Sequence, residues 1–316
     1  MAAAPALEPV LVYKANEERG REWREIFARE APEIQFRMWP EVGDPESVEY
    51  LVLWQPPPNL LEKFPNAKVL FSVAAGIDHL DLASLPPDLP LVRMVEPGIT
   101  QTMVDYVSFA VLALHRNLLD YAEQQRKKIW SEIRVRPSGD RRVGVMGMGV
   151  LGTAALERLG ALSFQRAGWS RTPKERVGVD CYAGEAQLEA FLARLDILVC
   201  LLPLTADTGG ILNARTFRAL PHGASLVNVG RGGHLVQTDL LEALDGGRLS
   251  GAVIDVLEEE PPPDNHPFWT HPRILLTPHI ASMTQPLTAA PLVINNIRRH
   301  RGGEPLLNVV DRSRGY

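Results

Sequence analysis

The chain has 316 residues, of which 45% are hydrophobic and 22% are charged. This length exceeds what one hydrophobic core usually organises, so it predicts two domains. The formal net charge of −5 gives no reason to expect nucleic acid or an anionic membrane as a partner.

Local composition predicts a cytoplasmic protein. The opening residues, MAAAPALE, lack the basic and apolar regions of a signal peptide. The longest apolar run, residues 197–204, is far too short to span a bilayer. The chain has two cysteines, and Cys200 lies inside that run, as expected of a reduced thiol in a protein core.

Two series of strand-like runs alternate with helical patterns along the chain. The first series covers residues 10–13, 34–39, 50–54, 68–73 and 91–95. The second covers residues 142–147, 164–169, 197–202, 225–229, 251–256 and 274–277. Continuous apolar runs in the second series are typical of parallel strands buried on both faces. The alternation predicts an α/β fold of two doubly wound parallel-sheet domains.

Helical patterns connect these runs. Residues 185–195 and 238–249 predict helices within the second series, the later one capped by Thr238 or Asp239. Residues 102–130 predict one long helix that leads from the first series to the second.

A further helix, residues 286–301, is predicted to return the chain to the first domain. The first domain is therefore expected to be discontinuous, with residues 1–102 and 284–316, and the second to span residues 103–283. The cleft between two domains is a usual place for an active site.

The run 142–147 ends in Gly147-x-Gly149-x-x-Gly152, and a helical pattern follows over residues 154–162. In a nucleotide-binding βαβ unit the first glycine permits a tight turn, the second admits a pyrophosphate close to the backbone, and the third lets the helix pack on the strand. The helix N-terminus then attracts phosphate. Because the motif follows a strand and precedes a helix, it predicts a dinucleotide site.

The next strand is followed by Ser170-Arg171-Thr172-Pro-Lys174. An NAD site usually has a carboxylate here that accepts from the ribose 2′-hydroxyl, but none occurs before Glu175. Guanidinium and hydroxyl groups can donate to a 2′-phosphate, which a carboxylate would repel. With the glycine motif, the turn predicts NADP, with NADPH preferred over NADH; without it, a solvated basic turn would be the better interpretation.

Further motifs follow one another in a specific order. They are Val52-Leu-Trp54-Gln-Pro-Pro, Ala75-Gly-Ile-Asp78, the glycine motif, Trp169-Ser-Arg-Thr172, Asn228-Val-Gly-Arg231-Gly, Asp255-Val-x-x-x-Glu260-Pro, Thr277-Pro-His279 and Asp311-Arg-Ser-Arg-Gly-Tyr316. Along nearly the whole chain they resemble the D-2-hydroxyacid dehydrogenase family, and within it the glyoxylate/hydroxypyruvate reductase A group. The resemblance implies a Rossmann dinucleotide-binding domain inserted into a flavodoxin-like substrate domain, and a homodimer.

Three residues are expected to carry the chemistry. His279 follows an apolar strand and matches the family's Pro-His motif, which implies a general acid in reduction and a general base in oxidation. Glu260 stands at the family position directly before proline, and a carboxylate beside His279 would favour the imidazolium. Arg231 lies between glycines, which suits a guanidinium held against a carboxylate or carbonyl oxygen.

The resemblance also implies which residues bind the cofactor and the substrate. The predicted cofactor-binding residues are Met103, Gly147, Gly149, Val150, Leu151, Gly152, Ser170, Arg171, Thr172, Leu202, Pro203, Thr208, Val229, Gly230, Arg231, Asp255 and His279. The predicted substrate-binding residues are Trp54, Ala75, Gly76, Arg231 and His279. For Trp54 and Met103, plain packing in the core is the competing interpretation.

The sequence therefore predicts an NADPH-dependent reductase of small 2-oxoacids, first glyoxylate and hydroxypyruvate. Two alternatives stay open: a dehydrogenase of a different 2-hydroxyacid, and a cofactor-sensing regulatory protein that has kept the fold. No metal site is expected, because the histidines are not grouped with cysteines or carboxylates at ligand spacing.

Overall fold

A computed structural model describes residues 8–77 and 80–312. Predictions that fall on residues 1–7, on Asp78 or on residues 313–316 lie outside the described residues. The chain divides into two compact units, Met1–Ile99 with Met283–Tyr316, and Thr100–Ser282.

In the described residues the strands, in chain order, are β1 (Val10–Lys14), β2 (Gln35–Met38), β3 (Val48–Leu53), β4 (Val69–Ser72), β5 (Leu91–Val92), β6 (Arg142–Met146), β7 (Gln165–Ser170), β8 (Asp180–Ala183), β9 (Ile197–Cys200), β10 (Ala224–Asn228), β11 (Leu249–Ile254) and β12 (Ile274–Leu276). The α-helices are α1 (Glu17–Glu30), α2 (Leu60–Lys63), α3 (Pro97–His115), α4 (Leu118–Arg126), α5 (Val150–Ala161), α6 (Leu188–Leu192), α7 (Ala214–Ala219), α8 (Gln237–Asp245) and α9 (Pro286–Arg301).

The first unit contains a parallel sheet in the order β2-β1-β3-β4-β5. This is the strand order of the flavodoxin-like fold. Leu11 in β1, the second strand in this order, pairs with Phe36 on one side and Tyr50 on the other. Helix α1 buries Trp23 and Phe27, so the apolar residues of its sequence cover one face of the sheet.

The carboxylate of Glu96 joins the starts of two helices in the first unit. It is almost fully buried and accepts hydrogen bonds from the N–H groups of Gly98 and Ile99 at the start of α3. It also accepts from the N–H of Gln285, the residue that caps α9, at 3.3 Å. A negative charge is favourable at a helix N-terminus, and here one group serves both.

The second unit contains a seven-stranded parallel sheet in the order β12-β11-β10-β9-β6-β7-β8. From β8 to β11 this is the Rossmann order. Alternate residues of β6 enter different hydrophobic clusters: Met146 packs into one, Val143 and Val145 into the other. The sheet is thus buried on both faces, as the apolar runs predict. The strand order reverses between β6 and β9, where the carboxyl ends of such strands form a ligand crevice.

The structure confirms the predicted α/β fold class and adds one strand. Strand β8 was not predicted, because Asp180–Ala183 is short, lies at the sheet edge and exposes part of every side chain. The predicted helix 185–195 is shorter than expected. A 3-10 turn, Glu185–Gln187, precedes α6, and α6 ends at Leu192.

The predicted long helix 102–130 is wrong as a single element. Helix α3 ends at His115, and Asn117 takes φ +55°, a left-handed conformation that interrupts the helix before α4. The predicted caps of α8 are also wrong. Val236 occupies that position, and the Asp239 carboxylate accepts instead from the N–H of Ala214 at 2.7 Å. Among the described residues, none of the helices combines the length and hydropathy that a bilayer span requires.

Candidate active site

The glycine-rich loop joins β6 to α5. Gly147 has φ +102°, and a Cβ there would lie 2.5 Å from the carbonyl oxygen of Leu201, so the turn requires glycine. A Cβ on Gly152 would lie 1.8 Å from the carbonyl oxygen of Gly147, which is why α5 can begin directly against the end of the strand. A Cβ on Gly149 would meet no atom within 4 Å.

This loop fits a dinucleotide pyrophosphate. The first N–H groups of a helix have no partner within it, and in α5 they belong to Val150, Leu151 and Gly152. They adjoin the open space beside Gly149. An anion that approaches this point meets N–H donors and the positive end of the helix dipole.

The basic turn after β7 provides the cations expected near a 2′-phosphate. Arg171 and Thr172 are exposed, whereas Ser170 is buried and its hydroxyl donates to the carbonyl of Thr172 at 2.8 Å. The ammonium of Lys174 donates to the carbonyl of Met148 in the glycine-rich loop at 2.5 Å. The sequence predicts no separate role for Lys174, although its charge four residues after Ser170 was the available signal.

The loop after β9 is held by its own hydrogen bonds and by a buried histidine. Leu202 is buried and Pro203 is exposed; the hydroxyl of Thr208 donates to the carbonyl of Pro203 at 2.7 Å. His234 is fully buried: its Nδ1 accepts from the N–H of Arg231 at 3.0 Å, and its Nε2 lies 3.2 Å from the Pro203 carbonyl. Since Nδ1 accepts, the network assigns the hydrogen to Nε2. His234 therefore joins two loops, and sequence reasoning missed it.

Arg231 follows the buried residues Val229 and Gly230 at the end of β10. Its Nη1 donates to the carbonyl of Gly230 at 2.7 Å. A Cβ on the next residue, Gly232, would lie 1.9 Å from the carbonyl carbon of Leu257. Glycine at this position lets the Arg231 loop pack against the backbone that leads to Glu260.

Glu260 and His279 form a hydrogen-bonded pair. Glu260 Oε2 lies 2.7 Å from His279 Nδ1, and Glu260 Oε1 accepts from the N–H of Leu257 at 2.8 Å. The two side chains are 36% and 38% exposed, so the pair is accessible to a small molecule. Because the carboxylate engages Nδ1, the other ring nitrogen, Nε2, is the one that can exchange a proton with a substrate.

A buried carboxylate shapes the turn that carries His279. Asp255 Oδ1 accepts from the Thr277 hydroxyl at 2.6 Å and from the N–H of Ile280 at 2.9 Å. Oδ2 accepts from the N–H of Ala281 at 2.8 Å. Burial raises the pKa of Asp255, and these hydrogen bonds oppose that rise. The turn wraps around the carboxylate, so Asp255 positions the turn that carries His279; its predicted contact with the cofactor stays a prediction.

The predicted substrate residues of the first unit follow its strands. Trp54 comes directly after β3 and is 41% exposed, which argues against simple core packing. Ala75 and Gly76 follow β4 and are half-buried. In the second unit Met103 is buried among the core residues of α3 and β6, and its predicted contact with the cofactor stays a prediction.

The chain is similar to known proteins over most of its length. Residues 108–281 match the family model described as D-isomer specific 2-hydroxyacid dehydrogenase, NAD binding domain. The chain is 36% identical to the glyoxylate/hydroxypyruvate reductase A of Yersinia enterocolitica, over 94% of this chain and 96% of that protein. It is 37% identical to the protein of the same name from Serratia proteamaculans, over 93% and 96%.

Solved structures of the same family are similar to this chain over nearly its whole length. A D-isomer specific 2-hydroxyacid dehydrogenase from Xanthobacter autotrophicus, in complex with NADPH and MES, has a TM-score of 0.92 and 39% identity over 98% of this chain and 100% of that one. An NADPH-dependent glyoxylate/hydroxypyruvate reductase from Sinorhizobium meliloti, in complex with NADP and sulfate, has a TM-score of 0.90 and 38% identity over 98% and 100%.

The chain belongs to the D-isomer specific 2-hydroxyacid dehydrogenase family. Within that family it is similar to the glyoxylate/hydroxypyruvate reductase A proteins. The predicted family is thereby confirmed. In the part of the chain that the structure describes, no group of three or more His, Cys, Asp or Glu side chains is arranged to hold a metal ion.

Proposed function

We propose that this dehydrogenase uses NADPH to reduce small 2-oxoacids, first glyoxylate to glycolate and hydroxypyruvate to glycerate. The observation that carries the proposal is the 2.7 Å contact between His279 Nδ1 and Glu260 Oε2, on loops at the carboxyl ends of β12 and β11. Relatives named for reduction of these two substrates support it. Cytoplasmic location stays a prediction.

The cofactor would be held at the carboxyl ends of β6 and β7. The N–H groups of Val150, Leu151 and Gly152 suit its pyrophosphate, and the basic turn with Arg171 and Lys174 suits a 2′-phosphate. NADPH-bound and NADP-bound relatives at 34–39% identity support this choice. When bound, NADPH supplies the hydride that reduces the carbonyl carbon.

The protein's own groups handle the proton and the charge. His279 Nε2 donates a proton to the oxygen of the former carbonyl, while Glu260 stabilises the imidazolium through Nδ1. The guanidinium of Arg231 binds the carboxylate and carbonyl oxygens of the 2-oxoacid, as its planar donors allow. The product is the 2-hydroxyacid, and oxidation would reverse each transfer.

Removing the charge of Arg171 tests the choice of cofactor. A charge-assisted hydrogen bond is worth roughly 1.5–3 kcal/mol, so Arg171→Ala should weaken NADPH binding about 10–100-fold and leave NADH nearly unchanged. Calorimetric titration with each cofactor measures this. Arg218→Ala, which removes an exposed charge on α7, is the matched control. Equal losses for NADPH and NADH would show that Arg171 is structural.

Substitutions at the His279–Glu260 pair test the acid–base assignment. His279→Ala should lower turnover roughly 10²–10⁴-fold with NADPH binding retained. Reduction draws on the proton of the imidazolium, and Glu260→Gln removes the negative charge beside it, so turnover should fall in this variant as well. The exposed neighbour Glu259→Gln is the control, and wild-type turnover in Glu260→Gln would contradict the pairing.

Substrate recognition is tested by NADPH oxidation against a panel of 2-oxoacids that includes glyoxylate, hydroxypyruvate and bulkier analogues. Arg231→Lys should lower kcat/KM about 100-fold, since a point charge on a flexible stem does not orient both oxygens. NADPH affinity should be spared. Trp54→Ala should raise kcat/KM for bulkier 2-oxoacids relative to kcat/KM for glyoxylate.

Two outcomes of that panel would count against the proposal. In the first, the wild-type protein oxidises NADPH with a larger 2-oxoacid but not with glyoxylate or hydroxypyruvate. The protein would then be a dehydrogenase of a different 2-hydroxyacid. Unchanged preference in Trp54→Ala, with lowered thermal stability, would make Trp54 a packing residue.

We also propose a homodimer built on the second unit. Apolar side chains on α3, α4 and the following segment are exposed: Phe109, Leu112, Leu118, Tyr121, Ile129 and Trp130. Such a group of exposed apolar residues is typical of an interface. Trp130→Glu should shift sedimentation equilibrium from dimer towards monomer, whereas Val177→Glu, fully exposed elsewhere in this unit, should not. A monomeric wild-type protein would refute the dimer.

A further inference from the structure

A tyrosine on α3 reaches the turn that carries His279. The hydroxyl of Tyr106 is hydrogen-bonded to Oγ1 of Thr277, 171 residues later in the chain. Thr277 directly follows β12, and its hydroxyl donates to Asp255 Oδ1 at 2.6 Å. The three side chains therefore form a continuous chain of hydrogen bonds that ends at the buried carboxylate.

The direction of these bonds follows from the number of hydrogens. A threonine hydroxyl has one hydrogen, and an ionised carboxylate can only accept. Thr277 gives its hydrogen to Asp255, so Tyr106 must donate to Thr277. Burial raises the pKa of Tyr106 to about 12, with the negative charge of Asp255 also raising it, although the Thr277 bond opposes the rise. Tyr106 thus keeps its hydrogen throughout the neutral range.

The Asp255 carboxylate, at the end of this series of hydrogen bonds, stabilises an unfavourable backbone conformation at His279. His279 has φ +54°, a left-handed conformation that is unfavourable for a residue other than glycine. Its N–H donates to the backbone carbonyls of Asp255 at 2.9 Å and Thr277 at 3.1 Å. The next two N–H groups, of Ile280 and Ala281, bind the Asp255 carboxylate. The turn keeps this shape as long as Asp255 can accept from both.

We propose that Tyr106 is a positioning residue for His279, acting through Thr277 and Asp255 to hold the catalytic turn. The proposal rests on the proposed role of His279 as the acid. Tyr106 polarises the Thr277 hydroxyl, because hydrogen bonds in a chain strengthen one another. A stronger Thr277 donor favours the ionised carboxylate, and the carboxylate secures the turn. Glu260 acts on the same imidazole separately, at Nδ1.

This arrangement predicts how reduction depends on acid. Burial raises the pKa of Asp255, while the Thr277 hydroxyl, the N–H groups of Ile280 and Ala281 and the positive charge of protonated His279 lower it. When pH falls through that pKa, the protonated group loses acceptor capacity and the turn loosens. Without the Tyr106 hydroxyl the Thr277 donor weakens and the pKa of Asp255 rises further. The loss of activity on acidification should then begin at a higher pH.

The experiment compares Tyr106→Phe, Thr277→Val and the double variant with wild type. Each single variant removes a hydrogen bond that reaches His279 only through other residues, so kcat should fall about 2–10-fold. The pH at which kcat declines on the acid side of its profile should rise by about half a pH unit. KM for the 2-oxoacid and NADPH affinity should stay within about twofold, since the chain of bonds ends at the turn. The double variant should be no worse than Thr277→Val alone, because both act along one path.

The matched control is Tyr182→Phe, which removes a hydroxyl bonded to Arg194 in the same unit and should leave the pH profile unchanged. A readout independent of turnover is the ¹³C resonance of the Asp255 carboxyl in protein labelled at aspartate, assigned with Asp255→Asn. Its titration midpoint should rise by about half a pH unit in Tyr106→Phe.

Unchanged midpoint and pH profile in Tyr106→Phe, with lowered thermal stability, would reduce Tyr106 to a packing residue and overturn the proposal. The two proposals can fail separately. If wild-type protein reduces no 2-oxoacid but the Asp255 midpoint still rises in Tyr106→Phe, the proposed function fails and the link from Tyr106 to the turn stands.

Discussion

The geometry of the turn that carries His279 depends on a carboxylate that is 2% exposed and surrounded by neutral donors. Asp255 would be costly to bury alone, and it is retained because its oxygens accept from Thr277, Ile280 and Ala281. The N–H groups that it satisfies would otherwise be left without partners by the left-handed conformation of His279. The imidazole is thereby presented at the end of β12, where Glu260 can reach Nδ1.

The remaining loops at the same edge of the sheet are fixed to one another by close backbone packing. Gly232 admits the backbone of Leu257, and buried His234 bonds both to the Arg231 loop and to Pro203. These contacts connect the residue proposed to bind the substrate with the loop proposed to lie beneath the cofactor. Loss of the His234 side chain, which bonds both loops, should therefore affect substrate and cofactor constants together, which standard kinetics would reveal.

The motifs with local causes were predictable from the sequence. The glycine turn, the strand before it and the helix after it need only neighbouring residues, and all three are present. The break at Asn117 was not predicted, because no glycine or proline interrupts the helical pattern there. Asparagine takes a left-handed φ more readily than most residues, but only the structure shows that it does so here. Likewise, the contact of Tyr106 with Thr277 spans 171 residues. No local pattern encodes such a contact, and a tyrosine within an apolar helix is usually a packing residue, so the sequence does not single out Tyr106.

The buried carboxylate of Glu96 has a consequence for how the chain is made. It caps α3 through Gly98 and Ile99, but its third bond is to Gln285, 189 residues later. The unit Thr100–Ser282 is continuous and can fold on the ribosome as soon as it has emerged. The first unit cannot complete its core until residue 285 has left the exit tunnel. The part synthesised first is therefore expected to finish folding last, an order that protease digestion of stalled nascent chains would reveal.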